Sequence, residues 1–209
     1  MTDPNYTAIA LLVDRSGSMH AILVPAEDAI NEFIASQAHQ PGKRTIRVDQ
    51  FDHECLFAST SLPAADCPPF HLEPRGSTAL LDAMGATITS FGRELTAMPE
   101  DERPSTVIFA VMTDGGENSS VGYTWDQVKD IVERQERDYN WQILYLGANQ
   151  DAIATGAKMG VRRDRSLTYA ASDVGTRSAG DSIGNYVVTA SSGLPAAFTD
   201  EDRANASRR

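Results

Sequence analysis

The sequence predicts an α/β fold: a doubly wound, mostly parallel sheet with one antiparallel edge strand and helices on both faces. Three observations predict it. Near-continuous apolar runs recur at 8–13, 107–112 and 141–146, the pattern of strands buried on both faces. Amphipathic helical periods alternate with them, separated by Pro and Gly breaks. The first two runs lead into acids, Asp14 and Asp114. Ligands of such sheets bind beyond the carboxyl ends of the strands, which is where both acids fall.

Each element follows from local pattern. After the turn Asp14-Arg15-Ser16-Gly17-Ser18, the residues Ile22, Ala26, Ile30, Phe33 and Ile34 share one helical face. Pro25 fits only a first turn, so this helix is expected to start near Leu23, and Pro41-Gly42 ends the pattern. Residues 45–51 alternate as a half-exposed strand should. The link Asp52-His53 is so short that the next strand, 54–62, must be its antiparallel hairpin partner. Residues 63–74 hold four prolines and read as a loop.

Gly76-Ser77-Thr78 introduces a second helix, with Leu81, Met84, Ile88, Phe91 and Leu95 in one stripe. A polar linker, 98–104, leads to the second apolar strand. A third helix, roughly 124–139, is expected to bury Trp125, Val128, Ile131 and Val132. After the third strand, Asn149 or Asp151 can cap a short helix running to Met159. A last strand at 166–169 and a Gly-interrupted helix around 175–191 follow. Residues 1–195 read as one domain, and the charged stretch 196–209 is expected to fray.

Composition narrows the function. A net charge of −11 argues against nucleic acid or an anionic membrane as partner, since phosphate recognition needs a basic face. No apolar run approaches the ~20 residues that span a bilayer, and residues 1–6 lack the pattern of a signal peptide, so a cytoplasmic location is expected. The two cysteines, Cys55 and Cys67, then read as free thiols. Four scattered histidines and no Cys-x-x-Cys make a structural zinc site an unlikely design.

The chemistry concentrates in three stretches. Asp14-x-Ser16-x-Ser18 places three oxygen donors on one turn, Thr78 comes from the loop before the second helix, and Asp114 from the end of another strand. Taken singly, each is an ordinary turn or cap residue. Jointly they form a set of hard oxygen donors suited to Mg²⁺, Mn²⁺ or Ca²⁺. At the rim, His20, Tyr123 and Glu117 are candidate partner contacts, against the simpler readings of solvated loop residues and a turn-stabilising acid. Trp125 is better explained by packing at a helix start.

Asp14-Arg15-Ser16-Gly17-Ser18-Met19, Gly76-Ser77-Thr78 and Thr113-Asp114-Gly115-Gly116-Glu117-Asn118 resemble, in order and spacing, the three segments of the metal-ion-dependent adhesion site (MIDAS) of von Willebrand factor A-type domains. The resemblance, to stand-alone bacterial or phage examples, covers roughly residues 7–169. It implies Ser16, Ser18 and often Thr78 as direct ligands, with Asp14 and Asp114 direct or acting through water. It also implies that another protein completes the coordination with an acidic side chain, and that the domain is not an enzyme. Two alternatives stand beside it: a Mg²⁺-dependent hydrolase or phosphatase on the same fold plan, and a scaffold with a vestigial site. A haloacid-dehalogenase-like phosphatase would need a second acid where this chain has Ser16, and no Gly-x-x-x-x-Gly-Lys loop is present.

Overall fold

The computed structural model describes residues 2–56 and 60–209. The middle of the strand expected over 54–62, and the side chain of Cys55, lie outside the described residues. Among the described residues seven strands build one sheet: β1 (Asp3–Asp14), β2 (Lys43–Phe51), β3 (Cys55–Leu56), β4 (Leu62–Pro63), β5 (Pro104–Thr113), β6 (Gln142–Ala148) and β7 (Ser166–Tyr169). Their order is β3-β2-β1-β5-β6-β7, with β4 also on β2. β1, β2, β5, β6 and β7 run parallel, while β3 and β4 run antiparallel along the outer side of β2. This is the doubly wound sheet expected from the sequence.

Six α-helices among the described residues cover it: α1 (Leu23–Ala38), α2 (Leu80–Thr96), α3 (Trp125–Tyr139), α4 (Ala152–Lys158), α5 (Asp173–Ser191) and α6 (Asp200–Ala206). Because both faces of β1 are apolar, alternate residues serve two cores. Ile9, Leu11 and Val13 face α1 and α5, whereas Ala8, Ala10 and Leu12 face α2 and α3. The chain leaves β1 in one direction to reach β2, then crosses back to β5, β6 and β7. The switch point therefore lies between β1 and β5, where Val13 pairs with Met112. No helix among the described residues is long and apolar enough to cross a membrane.

Three local expectations are corrected. The polar positions of β2 do not face water: Arg47 and Asp49 are buried, paired at 2.9 Å, and Arg47 also reaches Glu94 of α2 at 3.2 Å. The alternation marks a buried ion pair supported by a third charge, since α2 covers that face. Trp125 and Ile131 are only half-buried, while Val128 and Val132 are fully enclosed. Lys158 lies over the Trp125 ring at 5.4 Å, so the tryptophan closes the gap between the start of α3 and the end of α4.

The third correction concerns residues 196–209. Thr199 and Asp202 form a capping box, and the helix they start packs against β7. Arg203 donates to the carbonyls of Ser166 and Arg163, and Ala206 O accepts the Ala170 amide at 2.8 Å. Ala206 is wholly buried. Charges that read as a solvated tail are used to start a helix and to cover the outer edge of β7, which would otherwise expose unpaired backbone groups. Ala206→Asp is accordingly expected to cost about 2–4 kcal/mol in denaturant unfolding, by burying an unpaired acid. The exposed neighbour change Ala204→Asp should stay within about 0.5 kcal/mol of the native protein.

Candidate metal centre

The first loop is shaped by hydrogen bonds that only its own sequence supplies. Asp14 ends β1 and turns back to accept the Ser16 amide on Oδ1 at 2.6 Å, an Asx turn that leaves Ser16 and Ser18 on one side. Their hydroxyls are 3.1 Å apart, and Ser18 Oγ donates to Asp114 Oδ1 at 2.6 Å. Met19 and Ile22 of the 3-10 turn Gly17–Ile22 are buried and anchor the loop to the core. Arg15 points away, its Nη2 lying 2.9 Å from Asp52 Oδ2.

The second and third loops close on the first. Gly17 N donates to Gly76 O at 3.1 Å and Arg75 N to Arg15 O at 2.7 Å, which ties the Gly76-Ser77-Thr78 loop to the serine turn. Thr78 does not cap α2; the N-cap position is Ala79, which leaves the Thr78 hydroxyl free of that duty. A Cβ placed on Gly115 would stand 3.0 Å from Thr78 Oγ1 and 3.5 Å from both Asp14 Oδ2 and Ser18 Oγ. Oxygens from the first two loops thus face Gly115 of the third, around one small space that exists because residue 115 lacks a side chain. With Ser16 next to Ser18, and Asp114 bonded to Ser18, the five residues singled out as metal ligands are together. Asp14, Ser16, Thr78 and Asp114 are buried, and Ser18 is exposed at the mouth.

This donor set fits a hard divalent cation: two carboxylates and three hydroxyls, with no nitrogen or sulfur among them. Its electrostatics point the same way. Among the described residues no Lys or Arg pairs with Asp14 or Asp114; their partners are hydroxyls and a backbone amide. Burial pushes the Asp14 carboxyl up to about 6, against which the Thr113 hydroxyl and the Ser16 amide pull only partly, with Asp114 adding repulsion. Burial raises Asp114 as well. Buried carboxylates without a basic neighbour are what a bound cation would relieve.

The neighbouring cluster Asp52-His53-Glu54 has ligand atoms within 4.8 Å of one another, yet its charge is already balanced. Asp52 takes Arg15 at 2.9 Å and Arg75 at 2.7 Å, and Arg75 also holds Glu54. Burial alone would raise Asp52, but the Glu54 amide, Arg75 and Arg15 outweigh it and hold the carboxyl below its ordinary value.

Several residues support the site, and of these only Thr113 lies in a motif segment. Thr113 Oγ1 donates to Asp14 Oδ2 at 2.6 Å, and Tyr169 OH donates to Thr113 O from the far strand β7. Gln150 Nε2 holds the Gly115 carbonyl at 2.9 Å and is itself positioned by Tyr145 OH. Asp82 accepts the amides of Val121, Gly122 and Tyr123. Of the rim candidates, Glu117 uses both carboxylate oxygens inward, accepting from the amides of Leu81, Ser119 and Ser120 and from the Ser120 hydroxyl. The Tyr123 ring packs against Gly85, half-buried, and His20 is exposed in the 3-10 turn.

No protein-family model matches this chain, and no curated protein does. Among solved structures it resembles a von Willebrand factor type A protein from Catenulispora acidiphila, with a TM-score of 0.60 and 14% identity over 88% of this chain and 43% of that one. It resembles the vWF domain of the type V pili tip protein Mfa5 from Porphyromonas gingivalis, with a TM-score of 0.63 and 11% identity over 93% and 98% of the two chains. A third is proximal thread matrix protein 1 from the mussel byssus with a zinc-occupied MIDAS motif, with a TM-score of 0.55 and 16% identity over 90% and 46%. The chain spans under half the length of the first and third of these, and nearly all of the Mfa5 domain. The fold is that of a von Willebrand factor A-type domain, as the motif resemblance implied.

Two measurements check this geometry. Gly115→Ala places a methyl in the space between the donors, so it is expected to leave the fold intact by circular dichroism while weakening Mg²⁺ binding at least about tenfold. The second uses the sign of the Asp14 shift. A carboxyl raised from 3.8 to about 6 contributes stability that is fully present below pH 3.8 and lost as pH rises through about 6. In chelator, Asp14→Asn should therefore be more stable than the native protein at pH 7.5, by up to about 3 kcal/mol, with the advantage vanishing near pH 4.

Proposed function

We propose that this chain is a divalent-cation-dependent protein-binding module without enzymatic activity. Ser16, Ser18 and Thr78 hold the cation, Asp14 and Asp114 act directly or through water, and an acidic side chain of another protein completes the coordination. The observation that carries this reading is the convergence of Thr78 Oγ1, Asp14 Oδ2 and Ser18 Oγ around Gly115. The charge balance supports it. Three neutral hydroxyls leave a dication less neutralised than a cage of carboxylates would, so it retains attraction for an incoming carboxylate. The exposed Ser18 lies on the side from which that carboxylate would arrive.

Oxygen donors alone favour Mg²⁺, Mn²⁺ or Ca²⁺, although the mussel protein shows that a site of this kind accepts zinc. Mfa5 is a pilus-tip protein, which is consistent with adhesion as the use of such a domain. Among the described residues, the groups hydrogen-bonded to Asp14, Ser16, Ser18 and Asp114 are hydroxyls, carboxylates and a backbone amide, a set suited to holding a cation.

Calorimetric titration of chelator-treated protein with Mg²⁺, Mn²⁺ and Ca²⁺ tests the proposal. Binding is expected for the native chain and lost in both Asp14→Ala and Ser16→Ala. Saturating metal at about 100 times Kd should also raise stability by about 2.7 kcal/mol. Absence of binding at millimolar metal would remove the cation from the function. Metal-dependent turnover of p-nitrophenyl phosphate, abolished by Asp14→Ala, would replace the binding reading with a hydrolytic one.

A further inference from the structure

We propose that Arg15 is a built-in competitor of the cation, and that Asp52 is the positioning residue that keeps it out of the site. The inference rests on the cation-binding reading above. Arg15 lies between two candidate donors, Asp14 and Ser16, and β1 has ended before it. The alternation of faces along the strand therefore no longer fixes its direction, and its side chain turns about several rotatable bonds. Only 7% of that side chain is exposed, so its charge is not left to water. A buried guanidinium needs a carboxylate. One stands beside it in the chain, since the Cα of Asp14 is about 3.8 Å away. The one it takes is Asp52.

Sheet register explains the meeting. Asp14 pairs with Phe51, so Arg15 and Asp52 each lie one residue past that pair, and the Arg15 amide donates to Phe51 O at 2.7 Å. The hold itself is a single point. Arg15 Nη2 stands 2.9 Å from Asp52 Oδ2, its one ion pair among the described residues. Nε and Nη2 make no directed hydrogen bond there, so charge alone keeps the guanidinium in place. The other contacts of Asp52 do not involve the Arg15 side chain. Its Oδ1 accepts the Glu54 amide at 2.7 Å, and its backbone carbonyl accepts the Ala79 amide at 2.8 Å. Arg75 also reaches Oδ2, but it is half-exposed and holds Glu54 as a second partner at 2.6 Å. Arg75 has an alternative to Asp52, and Arg15 does not.

Without the charge of Asp52, a buried cation is stranded one residue from a carboxylate that lacks a counter-charge. Arg15 then pairs with Asp14, and a metal ion has to displace a competitor tethered to the site at high effective concentration. Asn at position 52 keeps the shape and the acceptor for the Glu54 amide, so Asp52→Asn removes the charge alone.

Calorimetric titration with Mg²⁺ of the native chain, Asp52→Asn, Arg15→Met and the double variant tests this. Asp52→Asn is expected to weaken Mg²⁺ binding about tenfold or more, and the double variant to regain affinity to within about threefold of native. Arg15→Met alone is expected to shift affinity by less than about threefold, because the guanidinium it removes is already held away. A double variant as weak as Asp52→Asn, or one that does not fold by circular dichroism, makes Asp52 a structural brace and overturns the inference. Native-like binding by Asp52→Asn overturns it too, as does a gain from Arg15→Met as large alone as in the Asp52→Asn background. If Asp52→Asn itself fails to fold, a double variant that folds and binds Mg²⁺ still supports the inference, since Asp52 was then needed only against Arg15. If the native chain binds no Mg²⁺, the cation reading fails and this inference with it. Every other result bears on Asp52 and leaves that reading standing.

Discussion

Asp14 and Asp114 stand at the ends of adjacent parallel strands, in the register that pairs Val13 with Met112, and the loop that follows Asp14 is tied to Asp114 through the Ser18 hydroxyl. Two buried acids so placed, with no basic side chain between them, are a liability in an aqueous fold. Burial disfavours both charges, and the nearby Asp114 further disfavours that of Asp14. Much of the surrounding architecture manages that liability. Thr113 and the Ser16 amide donate to Asp14, Ser18 donates to Asp114, and the switch point of the sheet opens the pair toward solvent at Ser18.

The contrast with Asp52 shows that the omission of a counter-charge is local. Asp52 is as deeply buried as Asp14 and stands just beyond Phe51, the β2 partner of Asp14 in the sheet. Arg15 and Arg75 neutralise it, and its carboxyl lies below the ordinary range in place of above it. Arg15 is the residue that separates the two environments. It sits between the site residues Asp14 and Ser16 in sequence but directs its guanidinium away from them, into the Asp52 brace. One arginine turned the other way would have quenched the site.

The fold was legible because its signals are one-dimensional. Unbroken apolar runs can only be strands buried on both faces, and the hairpin after Phe51 followed from link length alone. That the five candidate residues would cluster was legible for a related reason, since short local motifs fix where each loop turns back. What failed was inference from charge. Arg47 and Asp49 read as solvent-facing, and 200–206 as a tail, because sequence does not show which element covers a polar residue. Gln150, Tyr169 and Asp82 were invisible for the same reason: each acts on a backbone group of a segment distant in sequence, and neither partner has a distinctive pattern.

Glu117 is the instructive case. By sequence it is another acid two residues past Gly115, as plausible an oxygen donor or partner contact as Asp114. In the fold its carboxylate is enclosed by backbone amides of its own loop and of Leu81 at the start of α2. Asp82 is spent in the same way on the amides of Val121 to Tyr123. A carboxylate surrounded by amides has its charge satisfied by dipoles and competes weakly for a cation. Of Asp14, Asp114, Glu117 and Asp82, therefore, only the first two are left in want of positive charge. The other two stiffen the loop that shapes the site. That division of labour separates the candidate donors from the acids that position them, because a carboxylate already filled by amides is chemically poor as a donor.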